Sequence, residues 1–98
     1  METRVHLPDN ETPSAITEVM QALRNEKLKP RHDKKSWGDW IHFEGYQTVI
    51  SIESMRGLAR SATIEYAEGE DDDLELKMIS AFRSLKWYGM DEDGEYLL

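Results

Sequence analysis

The spacing of apolar residues changes period twice along the chain. Thr12 and Pro13 suit the start of a helix, because a hydroxyl can cap the first turn and proline loses nothing there. Apolar residues then recur every three or four positions, which predicts a helix near residues 13–27. Pro30 prevents its continuation. The apolar stripe of this helix consists of Ile16, Val19, Met20 and Leu23.

The middle of the chain alternates between apolar and polar residues, as strands with one buried face do. Three such segments are separated by short connections that contain glycine, which predicts an antiparallel meander. The residues expected to face the core are Ile41 and Phe43, then Ile50 and Ile52, then Ile64. Residues 3–7 and 95–98 are candidates for short additional strands.

Helical spacing returns near the C-terminal end of the chain. Its apolar stripe consists of Leu74, Met78, Ala81, Phe82 and Leu85. The acidic run Asp71–Asp73 lies at the start of this segment and basic residues lie near its end, an arrangement that opposes the helix dipole and contributes ~0.3–1 kcal/mol per charge. We expect Gly89 to end this helix in the left-handed conformation.

This order of elements predicts a single α+β domain over residues 1–98. Two helices would cover one face of an antiparallel sheet of three to five strands. The order would be βαβββα, with a short final strand in addition. Such a two-layer sandwich resembles the ferredoxin-like folds in shape.

The composition excludes several classes of function. A formal charge of −8 disfavours nucleic acids and anionic membranes as partners. The charge is uneven, because residues 1–50 carry seven Lys/Arg and eight Asp/Glu (−1) whereas residues 51–98 carry five and twelve (−7). The absence of cysteine excludes disulfides and thiol chemistry. With no long apolar run and no pattern of a secretory signal, we expect a cytoplasmic protein.

Two charged segments invite a functional interpretation. The basic segment Arg24–Lys35 holds six basic and two acidic residues, and we expect it to be a solvated helix end that runs into a loop. The segment DEDGE, residues 91–95, resembles part of a calcium loop. Aligning Gly94 with the glycine of such a loop puts Gly89, which has no side-chain oxygen, at the first ligand position. We therefore expect a turn with Gly94 at positive φ, and no metal.

The spacings typical of phosphate loops, metalloproteases and serine hydrolases are absent from the sequence, so we expect neither an enzyme nor a cofactor. His42 shares its predicted sheet face with Trp40 and with carboxylates, a combination that could bind a metal or move a proton. Those carboxylates are Glu44 in the same strand and Glu53 and Glu65 in neighbouring strands. Cross-strand polar pairs on an exposed face account for the same pattern without any chemistry.

The tryptophans point to an interaction surface. If Ile41 faces the helices, Trp40 faces away from them, beside Val49 across the hairpin. Such an apolar patch on an open sheet face needs cover, from a second copy, a partner protein or a small molecule. Aromatic residues are favoured anchors in such contacts. The candidate interaction residues are therefore Trp40, His42, Val49 and Trp37.

Three hypotheses of function remain. The first is a small, acidic, non-enzymatic interaction module that associates with itself through the open sheet face, as a homodimer, or binds one protein partner. The second is a sensor or carrier of a small ligand, with a pocket formed by Trp40, His42 and either Tyr66 or Trp37. The third is an acidic inhibitor or decoy that occupies a basic partner protein.

Overall fold

The structure, a computed structural model, describes residues 2–70 and 72–98. Within these residues the chain forms two helices and one antiparallel sheet of eight strands. The helices are α1 (Ile16–Asn25) and α2 (Asp72–Ser84). The strands are β1 (Glu2–His6), β2 (Ser14–Ala15), β3 (Pro30–Lys35), β4 (Gly38–Phe43), β5 (Val49–Met55), β6 (Leu58–Glu65), β7 (Tyr88–Asp91) and β8 (Gly94–Leu97).

The strand order across the sheet is β3-β4-β5-β6-β1-β7-β8, and the short β2 pairs with one end of β6. After β1, the chain crosses with α1 to the edge strand β3 and then folds back strand by strand to β6, beside β1. After α2 it forms the hairpin β7–β8 on the other side of β1. No helix in the described part of the chain is long and apolar enough to cross a membrane.

The core lies between the sheet and the two helices, which pack against each other on one face. The prediction of the core residues is confirmed, since the apolar residues assigned to that sheet face are all buried. Burial of each large apolar side chain contributes about 1.5–3 kcal/mol. The buried residues of the sheet face include Val5, Ile41, Phe43, Ile50, Ile52 and Ile64, and those of the helices include Val19, Leu23, Leu74, Met78 and Phe82.

The predicted fold class is wrong in its sheet. The α+β class and the two helices are as expected, but an eight-stranded antiparallel sheet replaces the three- to five-stranded, ferredoxin-like sandwich with the order βαβββα. The basic segment that we expected to be a loop contains β3, whose side chains show no apolar alternation. As an edge strand β3 is held mainly by its backbone pairing with β4, so its sequence carries no trace of a buried face.

Helix α1 begins at Ile16, three residues later than predicted, because Ser14 and Ala15 pair with β6 as the strand β2. The N–H of Ile16 donates to the Gly57 carbonyl oxygen at 2.9 Å, which ties the helix start to the β5–β6 turn. At the start of α2, Asp72 and Asp73 occupy the first turn as expected. Asp71 lies outside the described residues.

The assignment of Gly89 to the end of α2 is also wrong. Lys86 ends that helix with φ 68°, just as Lys27 follows α1 with φ 66°. Trp87 then donates its N–H to the Phe82 carbonyl oxygen at 3.0 Å, and its ring packs on the Phe82 ring. Gly89 lies instead within β7, where the Tyr96 ring of β8 covers it so closely that a Cβ atom would clash with that ring.

Candidate binding groove on the open sheet face

The face of the sheet turned away from the helices carries the candidate site. Along β5, β6 and β1 every second side chain points into the core, so the residues between them point outward. Two rows of outward residues cross these strands side by side. They are Ser51, Thr63 and Arg4 in the first row, and Glu53, Ser61 and His6 in the second. Neighbours within a row are about 4.5–5.5 Å apart at Cβ, and the rows are about 7 Å apart.

A groove of about 520 Å³ lies over these two rows. The hydroxyl-bearing residues Ser51, Ser61 and Thr63 form its floor, with Trp37 on the β4 side and Met90 on the β7 side. We call this space, with these five residues and the charged residues of the two rows, the sheet groove. Its volume lies within the range of about 300–1,000 Å³ that is usual for small-molecule sites.

Trp37 is the second residue of the two-residue turn that joins β3 to β4. The next residue, Gly38, lets the hairpin approach β5, since a Cβ atom there would clash with the backbone oxygen of Ile52. The Trp37 ring meets the ring of Trp40 edge to face, with centroids 5.5 Å apart and planes at 88°. Trp37 nevertheless remains 49% exposed, which leaves an aromatic surface beside the groove.

Opposite charges occupy diagonal corners of the sheet groove. Arg4 lies beside Thr63 on the β1 side, and Glu53 lies beside Ser61 on the β5 side. Among the described residues, Arg4 has a loose ion-pair partner, since its Nη2 atom lies 3.9 Å from the Glu2 carboxylate and both side chains are largely exposed. Such exposed pairs contribute at most about 1 kcal/mol, so the guanidinium remains available to a ligand.

The predicted interaction residues lie on this face, but their neighbours differ from those expected. Trp40 pairs with Ser51 in β5, not with Val49. Val49 pairs with Glu65 in β6 and is half-buried. The ring of His42 lies 6.3 Å from that of Trp40, so the aromatic groups form a row along the β3–β4 hairpin that ends at the groove.

The predicted cluster of carboxylates around His42 is not brought together. The carboxylate near its Nε2 atom, at 3.9 Å, belongs to Asp33 of β3. Glu44 lies in the turn after β4, and Tyr66 packs against the core on the helix side, away from Trp40. Within residues 2–70 and 72–98, no group of three or more His, Cys, Asp or Glu side chains is arranged to hold a metal ion.

Sequence reasoning missed the floor of the groove and its β1 side. Alternation along the strands assigned Ser51 to the outward face, but single serines and threonines carry no signal of a site. Arg4 joins them only because β1 inserts between β6 and β7, a pairing across more than fifty residues of sequence. A search for outward hydroxyl residues at neighbouring strand positions would have detected the floor once the strand order was known.

A second polar cluster lies on the helix-side face. The Asp39 side chain is 1% exposed, accepts a hydrogen bond from the Ser54 hydroxyl on one oxygen, and contacts His32 Nε2 with the other. Serine, histidine and aspartate are the residue types of a catalytic triad. In a triad the serine hydroxyl bonds to the histidine, whereas Ser54 donates to the carboxylate. The contacts of Asp39 therefore link β3, β4 and β5. They do not place the Ser54 hydroxyl where His32 could activate it as a nucleophile.

The charge state of Asp39 follows from these contacts. Burial alone raises the pKa of its carboxyl, but hydrogen bonds from Ser54 and His32 and the nearby charges of His32 and Lys34 outweigh it. The pKa therefore lies below its ordinary value, and Asp39 is ionised at neutral pH. We therefore expect the ionised form of Asp39 to stabilise the fold relative to the protonated form.

The DEDGE segment forms the turn of the β7–β8 hairpin. Gly94 adopts φ 110°, as its expected role in a turn requires. Asp91 Oδ1 accepts a hydrogen bond from the Asp93 N–H at 2.9 Å, so this carboxylate supports the turn itself. The acidic side chains here are exposed and spread along the hairpin.

Comparisons with protein-family models, with curated proteins and with solved structures found no match to this chain. The function must therefore be inferred from the site itself.

Proposed function

We propose that the chain is a non-enzymatic binding module that holds a small zwitterionic molecule with an apolar part, of the amino-acid or dipeptide type, in the sheet groove. The observation that carries this proposal is the half-exposed Trp37 ring beside a floor of hydroxyl groups. An aromatic wall and a few convergent polar groups are typical of small-molecule sites.

The charges of the groove favour this class of ligand. A carboxylate would meet the guanidinium of Arg4, and an ammonium group would meet Glu53 at the diagonal corner. Hydroxyl groups both donate and accept hydrogen bonds, so Ser61 and Thr63 suit the polar atoms between the two charges. The apolar part would lie against Trp37, where a cationic or planar group also gains attraction from the ring face.

Self-association through the open face around Trp40 and Val49 remains a prediction with weaker support. Trp37 already covers part of Trp40, which reduces the apolar surface that a second copy would bury. The centre of a homodimer interface is usually apolar, whereas the centre of this face carries hydroxyl groups. The acidic decoy of a basic protein also remains a prediction, and a salt-sensitive complex with such a protein would support it.

The proposal is tested by titrating ¹⁵N-labelled protein with amino acids and dipeptides while backbone amide shifts are followed by NMR. We expect aromatic or aliphatic zwitterions to move the amide signals of β5, β6 and β1 around the groove. Trp37→Ala should weaken binding about tenfold, the effect of losing ~1.4 kcal/mol of ring contact. Arg4→Gln should weaken binding of free amino acids more than binding of their amides.

Leu76→Ala is the matched control, because Leu76 is an exposed apolar residue on α2, away from the groove. Binding by this variant should equal that of the unaltered chain. Shifts that are absent for every zwitterion, or that persist unchanged in Trp37→Ala, would rule the proposal out. Shifts on the open face that depend on protein concentration alone would favour self-association.

A further inference from the structure

The sheet ends in two open edges, β3 on one side and β8 on the other. In the described part of the chain, no strand pairs with the outer side of either one. An open edge presents unpaired N–H and C=O groups to which a further strand can add. Many proteins protect such edges with charged side chains, and charges of a single sign on both edges would keep copies of this chain apart.

The two edges of this sheet instead carry opposite charges. The basic edge, β3, has exposed Arg31, Lys34 and Lys35 and one acidic residue, Asp33, for a formal charge of +2. Asp33 is engaged by Lys35 at 3.1 Å. The acidic edge comprises β8, the turn before it and Asp91, the last residue of β7, and its charge is −4. Its exposed carboxylates are those of Asp91, Glu92, Asp93 and Glu95.

We propose that copies of this chain associate head to tail, with the basic edge of one copy paired to the acidic edge of the next. Contacts between two β3 strands or between two acidic edges would bring like charges together and are disfavoured. The acidic edge also exposes an apolar side chain to bury, since Leu97 is 79% exposed. Because each copy carries one edge of each kind, the contact does not close on itself and can continue into a chain of copies.

The direction of the strands indicates how the edges would pair. Six antiparallel steps separate β3 from β8, so these strands run in the same direction within one copy. Lys34 and Lys35 lie at the end of β3, whereas the carboxylates of the turn lie at the start of β8. Antiparallel pairing brings these two groups together, and it places the helices of successive copies on opposite faces.

The test is a charge swap followed by sedimentation velocity across a concentration series, at low and at high salt. Lys34→Glu with Lys35→Glu makes both edges acidic. Glu92→Lys with Asp93→Lys changes the charge of the acidic edge from −4 to 0, so neither variant keeps two edges of opposite charge. We expect the unaltered chain to sediment faster as its concentration rises at low salt, and less so at high salt, because exposed charges are screened. Each variant alone should remain a monomer, and an equimolar mixture of the two should associate again.

Arg24→Glu with Lys27→Glu is the matched control for the lysine double variant, since it makes the same change of charge at exposed positions in the last turn of α1 and just after it. This control should associate as the unaltered chain does. Recovery in the mixture cannot come from misfolding of the variants, so it isolates the pairing of the edges. An unaltered chain that stays monomeric, or a mixture that does, would overturn the proposal. Variants that associate alone as strongly as the unaltered chain would also overturn it, and would place the contact elsewhere.

Discussion

Two adjacent residues of β6 show how differently the faces of the sheet are built. Ile64 is fully buried between the sheet and the helices, whereas Thr63 points outward to the floor of the sheet groove. On the helix side, nearly every position of the central strands is apolar and closely packed. On the open side, the central positions are small, polar and partly exposed. The first face holds the fold together, and we propose that the second face serves binding.

The largest expected difference in stability between the two faces is at Ile64. Ile64→Ala removes buried methyl groups and leaves a cavity, so we expect the free energy of unfolding to fall by about 2–5 kcal/mol. Thr63→Ala, one residue away, should change it by less than about 1 kcal/mol, because a partly exposed position loses little packing. Urea denaturation of the two variants measures both values. Equal losses would show that the open face is also part of the stabilising core.

The same contrast explains how much of the fold the sequence could predict. Burial on one face imposes alternation, so β4, β5 and β6 were correctly predicted from Ile41, Ile50 and Ile64. Strand β3 was missed because its edge position imposes no alternation on residues such as Lys34. Strand β7 was missed because its central residue is Gly89, which is covered by a ring from the next strand.

The candidate site was less predictable than the fold. Trp37 and Trp40 were recognised as candidate site residues because large apolar side chains on an open sheet face need a contact that covers them. Their relation to Arg4 depends on the insertion of β1 into the sheet, and no local pattern encodes that pairing. A groove depends on which strands are neighbours, whereas alternation indicates only which residues share a face.

Asp39 is a buried charged residue on the otherwise apolar, helix-side face of the sheet. We expect its substitution to lower the free energy of unfolding by an intermediate amount. Asp39→Asn removes the charge but keeps the shape, and it weakens the hydrogen bonds with Ser54 and His32. We expect a loss of about 1–3 kcal/mol at neutral pH, the usual effect of disturbing a buried hydrogen-bonded group. Asp33→Asn is the control, because that carboxylate is half-exposed and should matter much less.

The dependence of this effect on pH has a definite sign. The pKa of Asp39 is lower in the folded chain than in the unfolded chain, because its hydrogen bonds and nearby charges outweigh the effect of burial. Such a group stabilises the fold above the unfolded pKa, and that contribution is lost as the pH falls through the folded pKa. The difference in stability between the unaltered chain and Asp39→Asn should therefore shrink from about pH 5 downward. A difference that stays constant down to pH 2 would show that Asp39 is not ionised in the fold.

The smallest effect on stability, and the sharpest test of the open face, is expected from Thr63→Val. Valine has nearly the shape of threonine and favours strands, so we expect the free energy of unfolding to change by no more than about 0.5 kcal/mol. The substitution does remove a hydroxyl group from the floor of the sheet groove, between Ser51 and Arg4. Zwitterion binding in the NMR titration should weaken severalfold, because the ligand loses a hydrogen-bond partner. A large fall in the free energy of unfolding with unchanged binding would show that the hydroxyl groups of this face stabilise the fold and do not bind a ligand. The proposed assignment of stability to one face and binding to the other would then be wrong.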